Sequence, residues 1–316
     1  MTATIEVEGL AMSYADRQVL RGVDFEVKAG EVFCLLGPNG AGKTTTVEIL
    51  EGFRRRTGGV VSVLGMDPQA QPARLRERIG IVLQECGFPR QARVAELIDC
   101  WRGYYRNPRD LAGLLKVVEL TEDRDAQVSR LSGGQRRRLD LALALTGDPD
   151  LIFLDEPTTG FDPESRRRCW AAIENLRARG KTIVLTTHSL AEAERLADRV
   201  AILQEGRIQV SGTVRHVARH AGVKTRIKFT APERFADGSV PPPECLGLVV
   251  TGGLAVCQAE NSATALRELL GWAAAHDLGD LDDLSVETPT LEDAYLQLVS
   301  GHPGGRPSVP PAGGTQ

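Results

Sequence analysis

The spacing of hydrophobic and polar positions changes several times along the chain. Over residues 4–10 and 19–27 apolar and polar side chains mostly alternate, which is the pattern of a strand with one buried face. Four later segments are short, mostly apolar runs of the kind that form strands buried on both faces: 32–36, 78–84, 150–154 and 181–187. A helix is predicted from about Pro163 to Ala178, between the last two runs. Together these segments predict an α/β fold around parallel-type strands.

The stretch at about 88–146 has a helical rather than a strand-like spacing. Leu111, Leu114, Leu115 and Val118 recur as they would on one face of a helix. We therefore expect an inserted helical subdomain over this range.

The C-terminal third has a pattern of its own. Its predicted elements are a strand at 225–229, a hairpin at 248–256 turned by Gly252 and Gly253, an amphipathic helix at 263–275, and a final helix that begins near Thr290 with an acid at its third position. We expect a first domain over 1–218 and a small β/α domain over 222–300. The remainder, 301–316, is rich in glycine and proline, so we expect it to be disordered.

The run at 32–36 leads into a glycine-rich segment. Its residues are Gly37, Pro38, Asn39, Gly40, Ala41, Gly42, Lys43, Thr44 and Thr45, which fit the phosphate-loop pattern G-x-x-x-x-G-K-[ST]. Glycines let the backbone curl so that successive N–H groups point at phosphate oxygens, and the helix that follows adds the positive end of its dipole. Lys43 can then reach the β- and γ-phosphates, and the Thr44 hydroxyl can ligate Mg²⁺. The segment predicts a site for a nucleoside triphosphate.

Two acids, Asp155 and Glu156, end the run at 150–154, and His188 follows the run at 181–187. Ligands of parallel sheets gather at the carboxyl ends of strands. We therefore expect Asp155 to hold Mg²⁺, Glu156 to act as general base on the attacking water, and His188 to sense the γ-phosphate. The alternative is a solvated sheet edge and a structural histidine.

A second anion-binding segment is predicted at Ser132, Gly133, Gly134 and Gln135. Ser132 is a favourable N-cap, and the two glycines expose backbone N–H groups at the start of a helix. The alternative is an ordinary loop. Tyr14, between the first two strands, is either a half-buried tyrosine or an aromatic surface for an adenine ring.

The charge of the chain bears on its partners. The 316 residues carry a formal net charge of −4, and the isoelectric point is near 5.8. No overall basic field therefore favours nucleic acid. Arginine triplets occur at 54–56, 136–138 and 166–168, and we interpret the first and third as solvated faces.

Cysteine usage and hydropathy indicate the compartment. The six cysteines form no C-x-x-C pair, which favours a reducing environment. The first residues lack the regions of a signal peptide, and no apolar run approaches the about 20 residues that span a bilayer. We expect a cytosolic chain that does not cross a membrane by itself.

With these residues in place, the chain resembles the nucleotide-binding subunit of ATP-binding cassette (ABC) transporters over roughly residues 3–215. The family's motifs fall, in order, on Tyr14 (A-loop), 37–45 (Walker A), Gln84 (Q-loop), 131–135 (signature), 151–155 with Glu156 (Walker B), 159–162 (D-loop) and His188 (switch histidine). One departure is Phe161, where the D-loop often has leucine. It affects packing more than chemistry.

The resemblance implies a P-loop NTPase cassette with a mixed sheet core, an antiparallel β subdomain and an inserted helical subdomain. It implies ATP and Mg²⁺, with Thr44, Gln84 and Asp155 around the metal. Two cassettes would pair head to tail, so that the signature of one covers the γ-phosphate held by the other, and a single-cassette chain would form a homodimer. The surface around 85–105 would receive a helix of a separate membrane permease.

Residues 288–295 resemble the C-terminal end of drug- and antibiotic-resistance exporter cassettes of the daunorubicin type. The expected protein is thus the ATPase subunit of a bacterial ABC-2 type exporter at the cytoplasmic face of the membrane, moving a drug, antibiotic or lipid. Alternatives are an importer cassette with a C-terminal regulatory domain, and a soluble ABC ATPase of translation or chromosomes. A degenerate cassette is disfavoured by Glu156 and His188.

Overall fold

The structure, a computed structural model, describes residues 3–15, 17–82, 87–89, 91–232, 234, 239–241, 243 and 246–300. The chain divides into two compact units, Met1–Val214 and Arg215–Gln316. Gln84 and the tail predicted at 301–316 lie outside the described residues.

The first unit contains most of the helices and strands of the described residues. Its strands are β1 (Ala3–Tyr14), β2 (Arg17–Lys28), β3 (Val32–Leu36), β4 (Gly58–Val63), β5 (Ile79–Val82), β6 (Leu151–Asp155), β7 (Thr182–Thr187), β8 (Arg199–Gln204) and β9 (Arg207–Gly212). Its helices are α1 (Lys43–Leu50), α2 (Pro72–Arg76), α3 (Val94–Arg102), α4 (Leu111–Val117), α5 (Gly133–Ala144), α6 (Pro163–Ala178) and α7 (Leu190–Leu196), and a short 3₁₀ turn lies at Val128–Arg130.

A six-stranded sheet in the order β5-β6-β7-β3-β8-β9 forms the centre of this unit. All neighbouring pairs are parallel except β8 and β9. The strands β3 and β7 are buried along their whole length, as their continuous apolar sequence predicts. The carboxyl ends of β3, β6 and β7 therefore lie together at one edge.

A smaller antiparallel sheet, β2-β1-β4, packs against the first. The two sheets share one apolar core, and the rings of Phe25 in β2 and Phe33 in β3 stack with their centroids 5.2 Å apart. This arrangement confirms the predicted α/β class with a mixed sheet core and an antiparallel part.

The region with helical spacing forms α3, α4 and α5. Leu114, Leu115 and Val118 are buried and Leu111 is half-buried, so the 3.6-residue period marks the packed face. Helix α5 lies against the large sheet at Gly80 of β5, where an added Cβ would approach the Ala144 carbonyl oxygen to 2.5 Å.

The second unit is a four-stranded antiparallel sheet with helices. Its elements are α8 (Val214–His220, which begins at the last residue of the first unit), β10 (Thr225–Thr230), β11 (Val249–Thr251), β12 (Leu254–Ala259), α9 (Ser262–Ala275), β13 (Ser285–Glu287) and α10 (Leu291–Ser300). The sheet order is β11-β12-β10-β13. Phe229 and Leu269 are fully buried in its core. The Thr290 N–H donates to Asp293 Oδ2 (3.1 Å), and the Asp293 N–H donates to Thr290 Oγ1 (3.1 Å), which is the predicted capping box.

Several elements are not predicted by the sequence analysis. The strand β13 has three residues and α2 has five, which is too short for either to show a period. Helix α7 has seven residues and is stabilised by the Ser189 cap and by burial of Ala193 and Leu196. Sequence spacing does not reveal these elements, because each is too short to show a period.

We predict that Gly80→Ala destabilises the protein by about 1–3 kcal/mol, because the added methyl group meets helix backbone that cannot yield without moving α5. Gly58→Ala is the control, since Gly58 is also a strand glycine but its Cβ would lie 3.5 Å from Ala11 Cβ, an ordinary contact. Urea denaturation measures both. Equal midpoints for the two variants would contradict the prediction.

Candidate functional site

The glycine-rich loop between β3 and α1 has a backbone that requires glycine at two positions. Gly42, the N-cap of α1, has φ = +110°, a conformation that side chains rarely adopt. At Gly37 an added Cβ would lie 2.2 Å from the Leu203 carbonyl oxygen of β8. The loop thus curls tightly against the sheet before α1 begins.

Lys43, the first residue of α1, lies inside this loop. Its Nζ donates to the carbonyl oxygens of Gly37 (2.8 Å) and Pro38 (3.2 Å), and its side chain is only 6% exposed. Burial lowers the pKa of Lys43, while the carboxylates of Glu156 and Asp155 oppose that shift. The ammonium group is therefore held at the mouth of the loop.

A cleft of about 590 Å³ opens beside the loop. Its lining residues are Tyr14, Arg17, Val19, Asn39, Gly40, Gly42, Lys43, Thr44, Thr45 and Glu156. Pro38 and Ala41 line an adjoining cleft of about 520 Å³. The structure thus brings Tyr14 to the phosphate loop, and the Arg54 guanidinium lies 5.1 Å from the centroid of the Tyr14 ring.

The acids predicted at the end of β6 lie at the same sheet edge. Asp155 pairs with Thr186 of β7, and the Thr186 hydroxyl donates to Asp155 Oδ1. The next residue, Glu156, has φ = +46°, a left-handed conformation that costs free energy in a residue with a side chain. Its N–H donates to the Thr186 carbonyl oxygen at 3.1 Å.

The Glu156 carboxylate joins the predicted residues into one cluster. Its Oε1 lies 3.2 Å from His188 Nδ1 and 3.9 Å from Lys43 Nζ, and its Oε2 accepts from Thr159 Oγ1 at 3.1 Å. The Glu156 side chain is 13% exposed and that of His188 is 52% exposed. A carboxylate, an ammonium group and a half-exposed imidazole therefore meet at the strand ends.

Arg137 supports this cluster, and the sequence analysis gave it no role. Its guanidinium donates to the carbonyl oxygens of Asp155 (2.7 Å) and Pro157 (3.3 Å), on both sides of Glu156. The spacing gave no signal for it, because residues 139–144 of α5 are all buried and the exposed Arg136 also has buried residues at i+4 and i+7. The arginine triplet at 136–138 is thus not a uniformly solvated face.

The second predicted anion site forms a separate cleft of about 290 Å³, which shares no lining residue with the cleft beside Lys43. Ser132 caps α5: its Oγ accepts from the Gln135 N–H (3.2 Å), and Gln135 Oε1 accepts from the Ser132 N–H (2.8 Å). Gly133 is exposed, and at Gly134 an added Cβ would lie 2.8 Å from Ser165 Oγ. Within one chain, the two sites do not form a common pocket.

Two of the three predicted metal ligands, Thr44 and Asp155, are among the described residues. Thr44 is exposed at the start of α1. The charge of the Asp155 carboxylate acts to raise the pKa of Lys43, the residue before Thr44. Hydroxyl and carboxylate oxygens are the hard donors that Mg²⁺ prefers, so these two residues fit that ion. The third predicted ligand, Gln84, lies outside the described residues.

Comparisons with known proteins identify the class. The ABC transporter family model matches residues 20–159, and a model for the C-terminal domain of ABC transporter domain-containing proteins matches 225–290. The chain is 36% identical over 303 residues to Nod factor export ATP-binding protein I of Rhizobium meliloti (strain 1021), covering 94% of this chain and 88% of that one. It is 41% identical over 302 residues to the protein of the same name in Burkholderia pseudomallei (strain 1710b), covering 94% and 97%.

Solved structures agree with the fold. An ATP-binding subunit of an ABC transporter is 28% identical and has a TM-score of 0.63, covering 69% of this chain and 93% of that chain. A dimeric bacterial ABC transporter cassette is 24% identical with a TM-score of 0.58, covering 66% and 98%. The chain belongs to the ATP-binding subunits of ABC transporters, and it is an ATPase. Among the helices of the described ranges, none is long and apolar enough to cross a membrane.

We predict that Lys43→Ala weakens ATP binding about 10- to 100-fold, because a charge-assisted contact to phosphate is lost in a mostly buried loop. Lys28→Ala removes a lysine that is 46% exposed and is the control. Equilibrium titration with a fluorescent ATP analogue measures both variants. Unchanged affinity in Lys43→Ala would exclude Lys43 as the phosphate-binding cation.

Proposed function

We propose that the chain is the ATP-hydrolysing subunit of a bacterial ABC-2 type exporter that moves a drug, antibiotic or lipid. The observation that carries this proposal is similarity over 94% of the chain to proteins whose names specify export. The matched length includes the second unit, and not the ATP-binding unit alone. An export role is therefore favoured over an importer with a C-terminal regulatory domain.

In the proposed reaction, the N–H groups of the loop at 37–45 and the ammonium of Lys43 bind the β- and γ-phosphates of ATP. Thr44, Asp155 and Gln84 would hold Mg²⁺, which neutralises phosphate charge when bound. Tyr14 supports the adenine ring with its aromatic face. Tyr14, Lys43 and Thr44 line one cleft, which supports their proposed contacts with the same nucleotide.

Glu156 is the proposed general base. One carboxylate oxygen accepts a proton from the attacking water while the water oxygen forms a bond to the γ-phosphorus and the β,γ-bridging bond breaks. The Lys43 ammonium, 3.9 Å from Glu156 Oε1, and the His188 ring, 3.2 Å from the same oxygen, orient the carboxylate. His188 is half exposed, so it can turn toward the γ-phosphate.

ABC ATP-binding subunits dimerise and work with a separate membrane permease. We propose a homodimer here, because the cleft at Ser132 and Gly134 lies at a helix start, where anions bind, but shares no lining residue with the cleft beside Lys43. The nest at Ser132–Gln135 of one subunit would then complete the phosphate site of the other. The dimer would lie at the cytoplasmic face of the membrane, bound to its permease.

We predict that Glu156→Gln lowers kcat for ATP by at least about 100-fold while ATP binding persists, because the amide keeps the shape of the side chain but cannot accept the proton. Glu8→Gln, at an exposed position of β1, is the control and should turn over ATP normally. Phosphate release and nucleotide titration provide the two measurements. Wild-type turnover by Glu156→Gln would exclude Glu156 as the base.

The transport role is tested by recovering the tagged full-length protein from gently solubilised native membranes and identifying co-purifying proteins by mass spectrometry. We expect a polytopic permease in near-equal amount, and its family would define cargo and direction. Recovery of ribosomal or DNA-repair proteins without a permease would contradict the exporter proposal and leave the ATPase activity intact.

A further inference from the structure

Glu192 is a buried carboxylate close to the candidate catalytic cluster, and none of the roles above uses it. We propose that Glu192 is a positioning residue that fixes the segment carrying Glu156 against the segment carrying His188. This inference rests on the proposed role of Glu156 as general base.

The contacts of Glu192 lie inside the protein. Its side chain is on α7, and the residue is 1% exposed. Its Oε1 accepts from Thr158 Oγ1 at 2.7 Å and from Trp170 Nε1 at 3.1 Å. A carboxylate buried this deeply is costly unless it is hydrogen-bonded, so these two donors hold it in one place.

The two ends of this hydrogen bond belong to the two segments of the cluster. Thr158 is two residues after Glu156, in the turn in which the Thr159 hydroxyl also donates to the Glu156 carboxylate. Glu192 is four residues after His188, and its N–H donates to the capping oxygen Ser189 Oγ at 3.4 Å. The bond from Thr158 to Glu192 therefore joins the strand end of β6 to that of β7 through side chains.

The cluster needs such a link for two reasons. Glu156 has a left-handed backbone that persists only when surrounding contacts hold it. The His188 ring is half exposed and is not fixed by packing on all sides. The 3.2 Å contact between His188 Nδ1 and Glu156 Oε1 thus depends on where the two backbones are placed.

A purely structural role predicts a different outcome from a positioning role. Removing the acceptor leaves the Thr158 hydroxyl and the Trp170 N–H without their partner inside the protein, which lowers the free energy of unfolding whichever role Glu192 has. A structural role would alter only that free energy. A positioning role alters kcat at saturating ATP in protein that is fully folded.

The test uses the full chain and two matched pairs, Thr158→Val with Thr158→Ser and Glu192→Leu with Glu192→Gln. Valine and leucine remove the bond, whereas serine keeps the donor and glutamine keeps an acceptor for both neighbours. We expect Thr158→Val and Glu192→Leu to lower kcat between about 10- and 100-fold, because misplacement of catalytic groups has effects of this size. The serine and glutamine variants should retain most of kcat.

Affinity for a fluorescent ATP analogue should stay within about twofold in all four variants, and the double variant Thr158→Val/Glu192→Leu should be no slower than the slower single one. Unchanged kcat in folded Thr158→Val would overturn the proposal, as would loss of ATP binding in parallel with kcat. If Glu192→Leu does not fold, the Thr158 pair decides. Glu156→Gln is assayed alongside: full turnover there overturns the base assignment itself, whereas its inactivity beside a fully active Thr158→Val overturns only the role of Glu192.

Discussion

The site depends on the parallel alignment of β3, β6 and β7. Parallel strands that share a sheet end at the same edge, and here Leu36 pairs with Thr187 while Asp155 pairs with Thr186. The residues that follow these ends, Lys43 after the loop, Glu156 and His188, consequently meet, although more than one hundred positions separate the first from the other two. A slip in this register would move the Lys43 ammonium away from the Glu156 carboxylate, whatever the loops contained.

Charge balance is the second constraint at this edge. Lys43 is mostly buried, which lowers the pKa of its ammonium group, and the carboxylates of Glu156 and Asp155 offset part of that shift. Two of these groups, Lys43 and Asp155, are also the proposed contacts of the triphosphate and of the metal ion. The Arg137 guanidinium donates hydrogen bonds to the carbonyl oxygens of Asp155 and Pro157, the residues on either side of Glu156. The strained backbone of Glu156 is thus held by the hydrogen bonds of Arg137 and by the bond from the Glu156 N–H to the Thr186 carbonyl oxygen.

The second unit adds a different kind of information. Its four-stranded sheet and helices have a core of their own. The relatives with export in their names match 94% of the chain, a length that includes both this unit and the ATP-binding unit. The described residues of the candidate site all belong to the first unit. The kind of transport is therefore argued from the whole length of the chain, while the chemistry is argued from residues at one sheet edge.

The sequence by itself determined the α/β class, the helix at Pro163–Ala178, the phosphate loop and the candidate acids, because each depends on local spacing or on a strand end. Tertiary structure alone decided the strand order, the short elements α2, α7 and β13, and the contacts of Arg137, Thr186 and Glu192 with the site. Those contacts join residues that are 18 to 34 positions apart. Periodicity shows which side of a helix is buried but not which neighbour it meets, so only packing could identify these partners.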